Sequence, residues 1–114
     1  MKDSILLKKA DLLAKEVYKI SRQFPKDELY GLTSQLRRAV LSVPLNIIEG
    51  FGRQAKNENR RFLDIAYASL KEVKYTLYFA YGEKYLNDKE YKLVIGMAEE
   101  VGKILWSCIS RLKK

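Results

Sequence analysis

A chain of 114 residues has room for one hydrophobic core, so we predict a single domain over residues 1–114. Hydrophobic residues make up 47% of the composition, but no apolar run approaches the roughly 20 residues that a membrane-spanning helix needs. The lysine-flanked N-terminus also lacks the cleavage site of a secretory signal, so we expect a cytoplasmic protein with no membrane partner.

The charge balance is basic, with 22 lysine and arginine residues against 14 acidic residues and a net charge of +8. An excess of this sign favours a polyanionic partner such as nucleic acid. A lysine-rich helical surface also keeps a protein soluble without any partner. The charge alone therefore leaves both interpretations open.

The residue types that most catalytic sites require are missing or scattered. The chain has no histidine, the commonest general base and metal ligand, and its only cysteine, Cys108, has no second thiol to pair with. Glu49, Glu58 and Asp64 lie near basic residues and are expected on different helix faces, which does not suit a metal-dependent nuclease. We predict no catalytic activity, no metal and no cofactor, with Cys108 in the core.

The first half of the chain predicts two helices. Apolar residues recur every three or four positions in both, which is the period of an amphipathic helix. The first helix should end just before Pro25, because proline cannot continue it. The second should run roughly from Thr33, as N-cap, to Phe51.

The second half predicts two more helices. The third should start near Asn57, as N-cap, and end at Gly82, and the fourth should open on Asn87 and Glu90, which are spaced as a capping box. Short connections between four such helices predict an all-α, antiparallel up-down-up-down four-helix bundle. The stripes expected to face the core are Leu6, Ala10, Leu13, Val17, Ile20 and Phe24; Leu36, Val40, Val43 and Ile47; Phe62, Ala66, Ser69, Val73, Leu77 and Ala80; and Tyr91, Val94, Ala98, Val101, Leu105, Cys108 and Leu112.

Two helices carry more apolar residues than one bundle buries. On a helical wheel, one cluster of the second helix lies about 120 to 180 degrees from the core stripe, and the third helix has an apolar flank beside its own stripe. These surfaces predict a homo-oligomer, although scattered apolar side chains are also common on monomers. The predicted interface residues are Leu41, Leu45, Ile48, Leu63, Tyr67, Tyr78 and Tyr81.

A polar ribbon runs along the second helix. Arg38, Ser42, Asn46, Glu49 and Arg53 fall within an arc of about 80 degrees, and Glu49 precedes Arg53 by one helical turn, as in an ion pair. The proline at position 44 removes a backbone hydrogen bond and predicts a kink. The ribbon therefore either repairs the kink and pairs charges, or presents its arginines to a partner.

Most arginines of the chain lie in residues 33–61, and arginine suits bidentate contacts with phosphate. Two of them, at positions 60 and 61, lie in the first turns of a helix, where the dipole disfavours cations and where Glu58 or a bound phosphate would compensate. Tyrosines are assigned to the oligomer interface and not to base stacking. The predicted nucleic-acid-binding residues are Arg37, Arg38, Arg53, Lys56, Arg60 and Arg61.

Residues 30–73 resemble the bacterial four-helix-bundle proteins encoded in intervening sequences of 23S ribosomal RNA genes. The elements that carry the resemblance are Gly31 to Thr33, Gln35 with Arg37 and Arg38, Asn46 to Gly50, and Arg61 to Leu63. Its motif positions, taken with the proline, are Gln35, Pro44, Asn46, Glu49 and Gly50.

This family is similar to the accessory proteins of diversity-generating retroelements, which form barrel-shaped pentamers and bind a reverse transcriptase and nucleic acid. The resemblance therefore implies a four-helix bundle and a pentamer. Two functions follow as expectations. One is binding of RNA or an RNA-protein complex through the arginines, and the other is a scaffold for a protein partner such as a reverse transcriptase.

Overall fold

The computed structural model describes residues 2–113, and the side chains from residue 5 onward. Within that range the chain forms four α-helices, α1 (Lys2–Ser21), α2 (Leu32–Gly52), α3 (Lys56–Gly82) and α4 (Asp88–Leu112), with a short 3-10 helix at Lys26–Glu28. Each helix packs against the next, and α1 closes the ring against α4. The molecule measures 43 × 25 × 18 Å. The predicted four-helix bundle is confirmed.

The core stripes of α1 and α2 are buried in full, as predicted. In α4 the stripe is buried from Val94 to Cys108, and only its two ends, Tyr91 and Leu112, are partly exposed. Cys108 is a free, buried thiol and belongs to the core. Helix periodicity alone therefore locates three of the four core faces.

The core face of α3 differs from the predicted one in its first half. Leu63 and Leu70 are buried, whereas Phe62 and Ser69 are only half-buried. The start of α3 approaches the end of α2 closely at Gly50, and this contact turns Leu63 inward. The assignment of Leu63 to an oligomer interface is therefore wrong, because its side chain is enclosed within the chain.

The start of α2 is fixed from outside the helix. The predicted N-cap Thr33 lies within α2, and its hydroxyl is buried without a hydrogen-bond partner among the described residues. The N-cap is Gly31, and the carboxylate of Glu28 accepts a hydrogen bond from the backbone N–H of Leu32 at 3.2 Å. A side chain of the preceding turn thus satisfies a donor that a capping residue normally takes.

Two further helix ends differ slightly from the prediction. α1 ends at Ser21, and residues 22–24 continue as turns that still bury Phe24. α3 begins at Lys56, so the predicted N-cap Asn57 lies inside its first turn. Both shifts are within the one or two residues by which helix boundaries normally vary.

The start of α4 is the predicted capping box. The side chain of Asn87 accepts from the Glu90 N–H at 2.8 Å, and the Glu90 carboxylate accepts from the Asn87 N–H at 2.9 Å. The same carboxylate accepts from the Gln23 amide at 2.9 Å and so ties α4 to the end of α1. These two donors, the Asn87 backbone first, lower the pKa of Glu90.

Candidate nucleic-acid interface

The turn between α2 and α3 brings the end of one helix against the start of the next. A Cβ at Gly50 would lie 3.0 Å from Leu63 Cδ2 and 3.2 Å from the Asn59 carbonyl oxygen, so this approach requires glycine. The side-chain amide of Asn59 donates to the carbonyls of Gly50 and Arg53, the latter at 2.6 Å. It satisfies acceptors that the end of α2 leaves free.

Sequence reasoning missed Asn59. Its signal is its position, because it follows the end of α2 by only a few residues and lies in the first turns of α3. An amide at that position can turn back to the preceding helix end, since it offers two donors. The predicted N-cap Asn57 is instead exposed.

Arg53 is held on three sides at this turn. Its guanidinium lies 2.8 Å from the carboxylate of Glu49, 3.8 Å from that of Glu58, and 4.8 Å from the ring centroid of Phe62. The predicted ion pair of Glu49 and Arg53 is therefore confirmed. The side chain of Arg53 remains 43% exposed, so it is positioned and still accessible to a ligand.

Three more basic residues follow Arg53 on the exposed start of α3. Arg60 pairs with Asp64 at 3.8 Å, so Asp64, and not Glu58, compensates its charge. Arg61 lines a shallow cleft beside Arg60 and has no ion pair or hydrogen bond among the described residues. The term arginine surface is used below for Arg53, Lys56, Arg60 and Arg61.

The remaining two predicted ligands lie apart from the arginine surface. Arg37 donates to the Ser21 hydroxyl at 2.9 Å, and its guanidinium lies 4.8 Å from the Tyr18 ring centroid. It joins α2 to α1, which argues against the predicted role of Arg37 in phosphate binding. Arg38 is exposed and donates to the Ser34 hydroxyl at 3.3 Å. It lies about 22 Å along α2 from Arg53.

The polar ribbon joins α2 to α3. The Asn46 amide donates to the carbonyl and the hydroxyl of Ser42, at 2.8 and 3.0 Å, and that hydroxyl lies 2.9 Å from the hydroxyl of Ser69. One turn nearer the start of α2, Gln35 donates weakly to Glu72 at 3.5 Å. α2 stays helical through Pro44. The amide of Asn46 bonds to Ser42 and not to the carbonyl that the proline frees.

The surplus apolar cluster of α2 is exposed. Leu41, Leu45 and Ile48 are 40%, 59% and 51% exposed, so the bundle does not bury them. On α3, Tyr78 is also exposed. The part of the prediction that places these residues outside the core is correct.

Tyr67 and Tyr81 have partners inside the chain. The Tyr67 ring packs against Trp106 at a centroid distance of 5.5 Å, and the Tyr81 ring stacks on Tyr91 at 4.4 Å. Tyr81 also donates to Asp88, and this hydrogen bond raises the pKa of the Tyr81 hydroxyl. Both side chains thus support the contact between α3 and α4.

A second basic surface lies between α3 and α4. Sequence reasoning missed it because Trp106 is outside the core stripe of α4 and its lysines lie far apart in the chain. Helical periodicity could have found it, since positions 67, 71 and 74 share one side of α3. We call this surface the lysine-aromatic face, and it consists of Tyr67, Lys71, Lys74, Lys103, Trp106 and Lys113.

Two further kinds of site were sought in the described part of the chain. Between residues 2 and 113, no three acidic or cysteine side chains lie close enough together to hold a metal ion. No helix in the same range is long and apolar enough to span a bilayer.

Comparison with known proteins identifies the family. The model of the 23S rRNA-intervening sequence protein family matches residues 2–107. The chain belongs to this family. A solved structure of a protein with unknown function from the S23 ribosomal protein family of Bacteroides thetaiotaomicron VPI-5482 has the same fold, with a TM-score of 0.89 and 22% identity. The match covers 96% of this chain and 99% of that one. No curated protein matches the chain.

In this member of the 23S rRNA-intervening sequence protein family, the residues that carried the resemblance have structural contacts. Asn46 braces α2 against Ser42, Glu49 holds Arg53, and Gly50 permits the approach of α3. Because these contacts join α2 to α3, the motif is explained largely by the fold. The exposed cations beside it are left for a partner.

Proposed function

We propose that this protein is a non-enzymatic, homo-oligomeric four-helix bundle that binds nucleic acid, either RNA or an RNA-protein complex, through the arginine surface. The observation that supports the proposal most directly is the geometry of Arg53. Its guanidinium is oriented by Glu49 and Phe62, yet 43% of the side chain is exposed at the end of the bundle. Orientation of this kind lowers the entropy lost when the planar fork binds a phosphate.

The surrounding ion pairs are compatible with an incoming phosphate. The contacts of Arg53 with Glu58 and of Arg60 with Asp64 are 3.8 Å long, and their side chains are about half exposed. Exposed pairs of this kind contribute roughly 0 to 1 kcal/mol, so a phosphate can replace the carboxylate at little cost. Arg61 has no carboxylate to displace. Contacts with the phosphate backbone would give strong salt dependence and little sequence specificity.

The test is filter binding of duplex RNA and DNA over a salt series. The variant Arg53→Gln, Arg60→Gln, Arg61→Gln removes three charges from the arginine surface. A matched control, Lys8→Gln, Lys19→Gln, Lys92→Gln, removes the same charge from exposed positions of α1 and α4. We expect the arginine variant to lose at least about tenfold in affinity and the control to change less than about threefold, because each lost phosphate contact also lowers the salt slope by about 0.9.

Two results would contradict this assignment. Equal losses in the arginine variant and its control would mean that net charge, and not this surface, attracts the nucleic acid. Absence of binding at low salt would reject nucleic acid as the ligand.

The homo-oligomer is supported by the exposed cluster of Leu41, Leu45 and Ile48 on α2. A second copy of the chain would bury these side chains at about 25 cal/mol per Å² of apolar area removed from water. Sedimentation of the 13.3 kDa chain at tens of micromolar tests the proposal, and the family resemblance favours a pentamer.

The interface variant is Leu45→Glu, Ile48→Glu, and we expect it to dissociate the oligomer. Leu12→Glu is the control, because Leu12 is similarly exposed but lies on α1. A monomeric parent protein would remove the interface from the proposal.

The alternative is an oligomeric scaffold for a protein partner, such as the reverse transcriptase of a retroelement. The same exposed apolar cluster favours it, because a protein partner also buries such side chains. An intact oligomer that binds no nucleic acid at low salt would support this alternative. Genes that flank the coding sequence separate the two origins, since a retroelement cassette contains a reverse transcriptase and a ribosomal RNA gene does not.

A further inference from the structure

We infer that the lysine-aromatic face between α3 and α4 is a binding site for an unpaired, single-stranded nucleic acid, with Trp106 as its base-stacking platform. This inference shares with the proposed function only the premise that the ligand is a nucleic acid. It assigns a different surface, a different form of the ligand and a different contact.

The aromatic centre of the face is exposed where a core role does not explain it. Trp106 is 48% exposed in the middle of a regular helix, and its ring packs against Tyr67 of α3 at 5.5 Å with the planes tilted by 44°. This contact supports one side of the indole and leaves the remainder facing water. Exposed tryptophan is uncommon away from binding sites, because its large apolar area favours burial.

Lysines surround this pair of rings. The Lys113 ammonium lies 4.9 Å from the Trp106 ring centroid, and the Lys71 ammonium lies 5.3 Å from that of Tyr67. Cations within about 6 Å of an aromatic ring are attracted to its face. The rings therefore concentrate positive charge at the positions where a base would stack, and the phosphates beside that base can take over the ammonium groups.

A shallow groove continues from the rings along the contact of α3 and α4. Lys74 and Lys103 line it together with Glu99, the one carboxylate among the lining residues. Gly102 forms part of its floor, and the Lys74 ammonium lies 3.7 Å from the position that a Cβ would occupy there. The glycine thus lets the charged end of Lys74 settle over the backbone of α4.

The positive charge of this face is not neutralised within the described part of the chain. None of the ion pairs found there involves Lys71, Lys74, Lys103 or Lys113. A second copy of the chain is a poor occupant, because a two-fold contact would place the same lysines opposite each other. A polyanion suits the charge, and the exposed ring favours one with free bases.

An unpaired strand fits better than a duplex. Bases in a duplex already stack on each other, whereas every base of a single strand offers a free face to an aromatic side chain. Stacking of this kind contributes about 1 to 3 kcal/mol per base, which corresponds to an affinity loss of about 5- to 150-fold when the ring is removed.

The test uses the intrinsic fluorescence of Trp106, the only tryptophan of the chain. Unlabelled oligouridylate of about 16 nucleotides is titrated into the protein while binding is followed in parallel by anisotropy of a labelled copy. We expect quenching of Trp106 that saturates with the same dissociation constant as the anisotropy. A duplex RNA of equal length should bind with much weaker quenching.

Variants identify the contact. Trp106→Ala should weaken binding of the oligouridylate by about 5- to 150-fold, and Trp106→Phe, which keeps a ring, should recover part of that loss. Leu93→Ala is the control, since Leu93 is 54% exposed on α4 but lies outside the lysine-aromatic face. Circular dichroism and thermal unfolding of each variant separate lost binding from lost folding, and Trp106→Phe retains the packing on Tyr67.

Several results would overturn the inference. One is saturable binding by anisotropy without any change in Trp106 emission. Another is a folded Trp106→Ala variant that binds the oligouridylate as tightly as the parent protein. A third is a blue shift with phosphatidylserine vesicles and no response to the oligonucleotide, which would assign the face to a membrane surface.

The two proposals fail in different ways. Loss of duplex binding in the arginine variant, with quenching of Trp106 by single strands intact, separates the two surfaces. If duplex binding does not depend on the arginines, the proposed function is wrong, and the inference on Trp106 still stands or falls on the single-strand titration.

Discussion

The two basic surfaces of this bundle differ in how their charges are used. At the α2–α3 turn, Arg53 and Arg60 face carboxylates at 2.8 to 3.8 Å. On the lysine-aromatic face, the lysines have aromatic rings and open water as neighbours and no carboxylate within ion-pair distance among the described residues. Counting charges along the sequence favours the first surface. The charge left for a partner is greater on the second.

The comparison also predicts where substitutions change stability. Side chains at the α2–α3 turn are part of a packed and hydrogen-bonded network, whereas those of the lysine-aromatic face hold few internal partners. Truncation at the turn should therefore lower the free energy of unfolding, and truncation of a lysine on the other face should change binding with little effect on folding.

The largest effect is expected for Leu63→Ala. Leu63 is fully buried and lies against Gly50, so its truncation leaves a cavity where α2 meets α3. We expect a loss of about 2 to 5 kcal/mol in the free energy of unfolding, measured by urea denaturation. Leu45→Ala is the control and should change it by no more than about 0.5 kcal/mol in the monomer, because Leu45 is 59% exposed. Similar losses in both would place Leu63 outside the core.

Asn59→Ala should have the next largest effect. The substitution leaves the carbonyls of Gly50 and Arg53 without the amide that now bonds to them. We expect a loss of about 1 to 3 kcal/mol in the free energy of unfolding. The matched substitution Asn57→Ala, at an exposed position of the same turn, should cost less than about 0.5 kcal/mol. A neutral Asn59→Ala would mean that the turn does not depend on this amide.

Salt titrations compare the surfaces directly. Lys103→Gln should lower the salt slope for a single strand by about 0.7, the amount expected when one phosphate contact is lost. Arg38→Gln serves as the control, since Arg38 is exposed on α2, away from the lysine-aromatic face. An equal change in both slopes would show that the lysine-aromatic face has no special share in binding.

How much of this could be predicted from the sequence follows from the range of the interactions. The capping box of Asn87 and Glu90 and the pair of Glu49 and Arg53 join residues within one helical turn, and both are found as predicted. Arg37 was assigned to nucleic acid and instead contacts Ser21 of α1. The partner of a side chain on another helix depends on the rotation of that helix, which periodicity determines only approximately.

The same limit explains the errors on α3. Its apolar residues are numerous enough to support two adjacent stripes, and the close contact at Gly50 selects the one that contains Leu63. The lysine-aromatic face was missed for a related reason, because Tyr67 and Trp106 are distant in sequence and meet only when α3 packs on α4. Surfaces made by two helices are thus the least predictable part of this molecule.

Glu90 gives the smallest predicted effect and a third case for the comparison, a charge used fully by the fold. Hydrogen bonds from the Asn87 backbone and then the Gln23 side chain lower the pKa of Glu90 from its ordinary 4.5. The carboxylate therefore contributes stability above pH 4.5, and this contribution is lost as the pH falls through the lowered pKa of the folded state.

Urea unfolding of the parent protein and of Glu90→Gln at pH 7 and pH 3 measures this contribution. The parent protein should be the more stable of the two at pH 7, and the difference should shrink at pH 3, because glutamine does not titrate. Lys84→Gln, at an exposed position of the preceding loop, should show no such pH dependence. A difference between parent and Glu90→Gln that is the same at both pH values would mean that the carboxylate acts as a neutral acceptor, and that the start of α4 resembles the lysine-aromatic face in leaving its charge free.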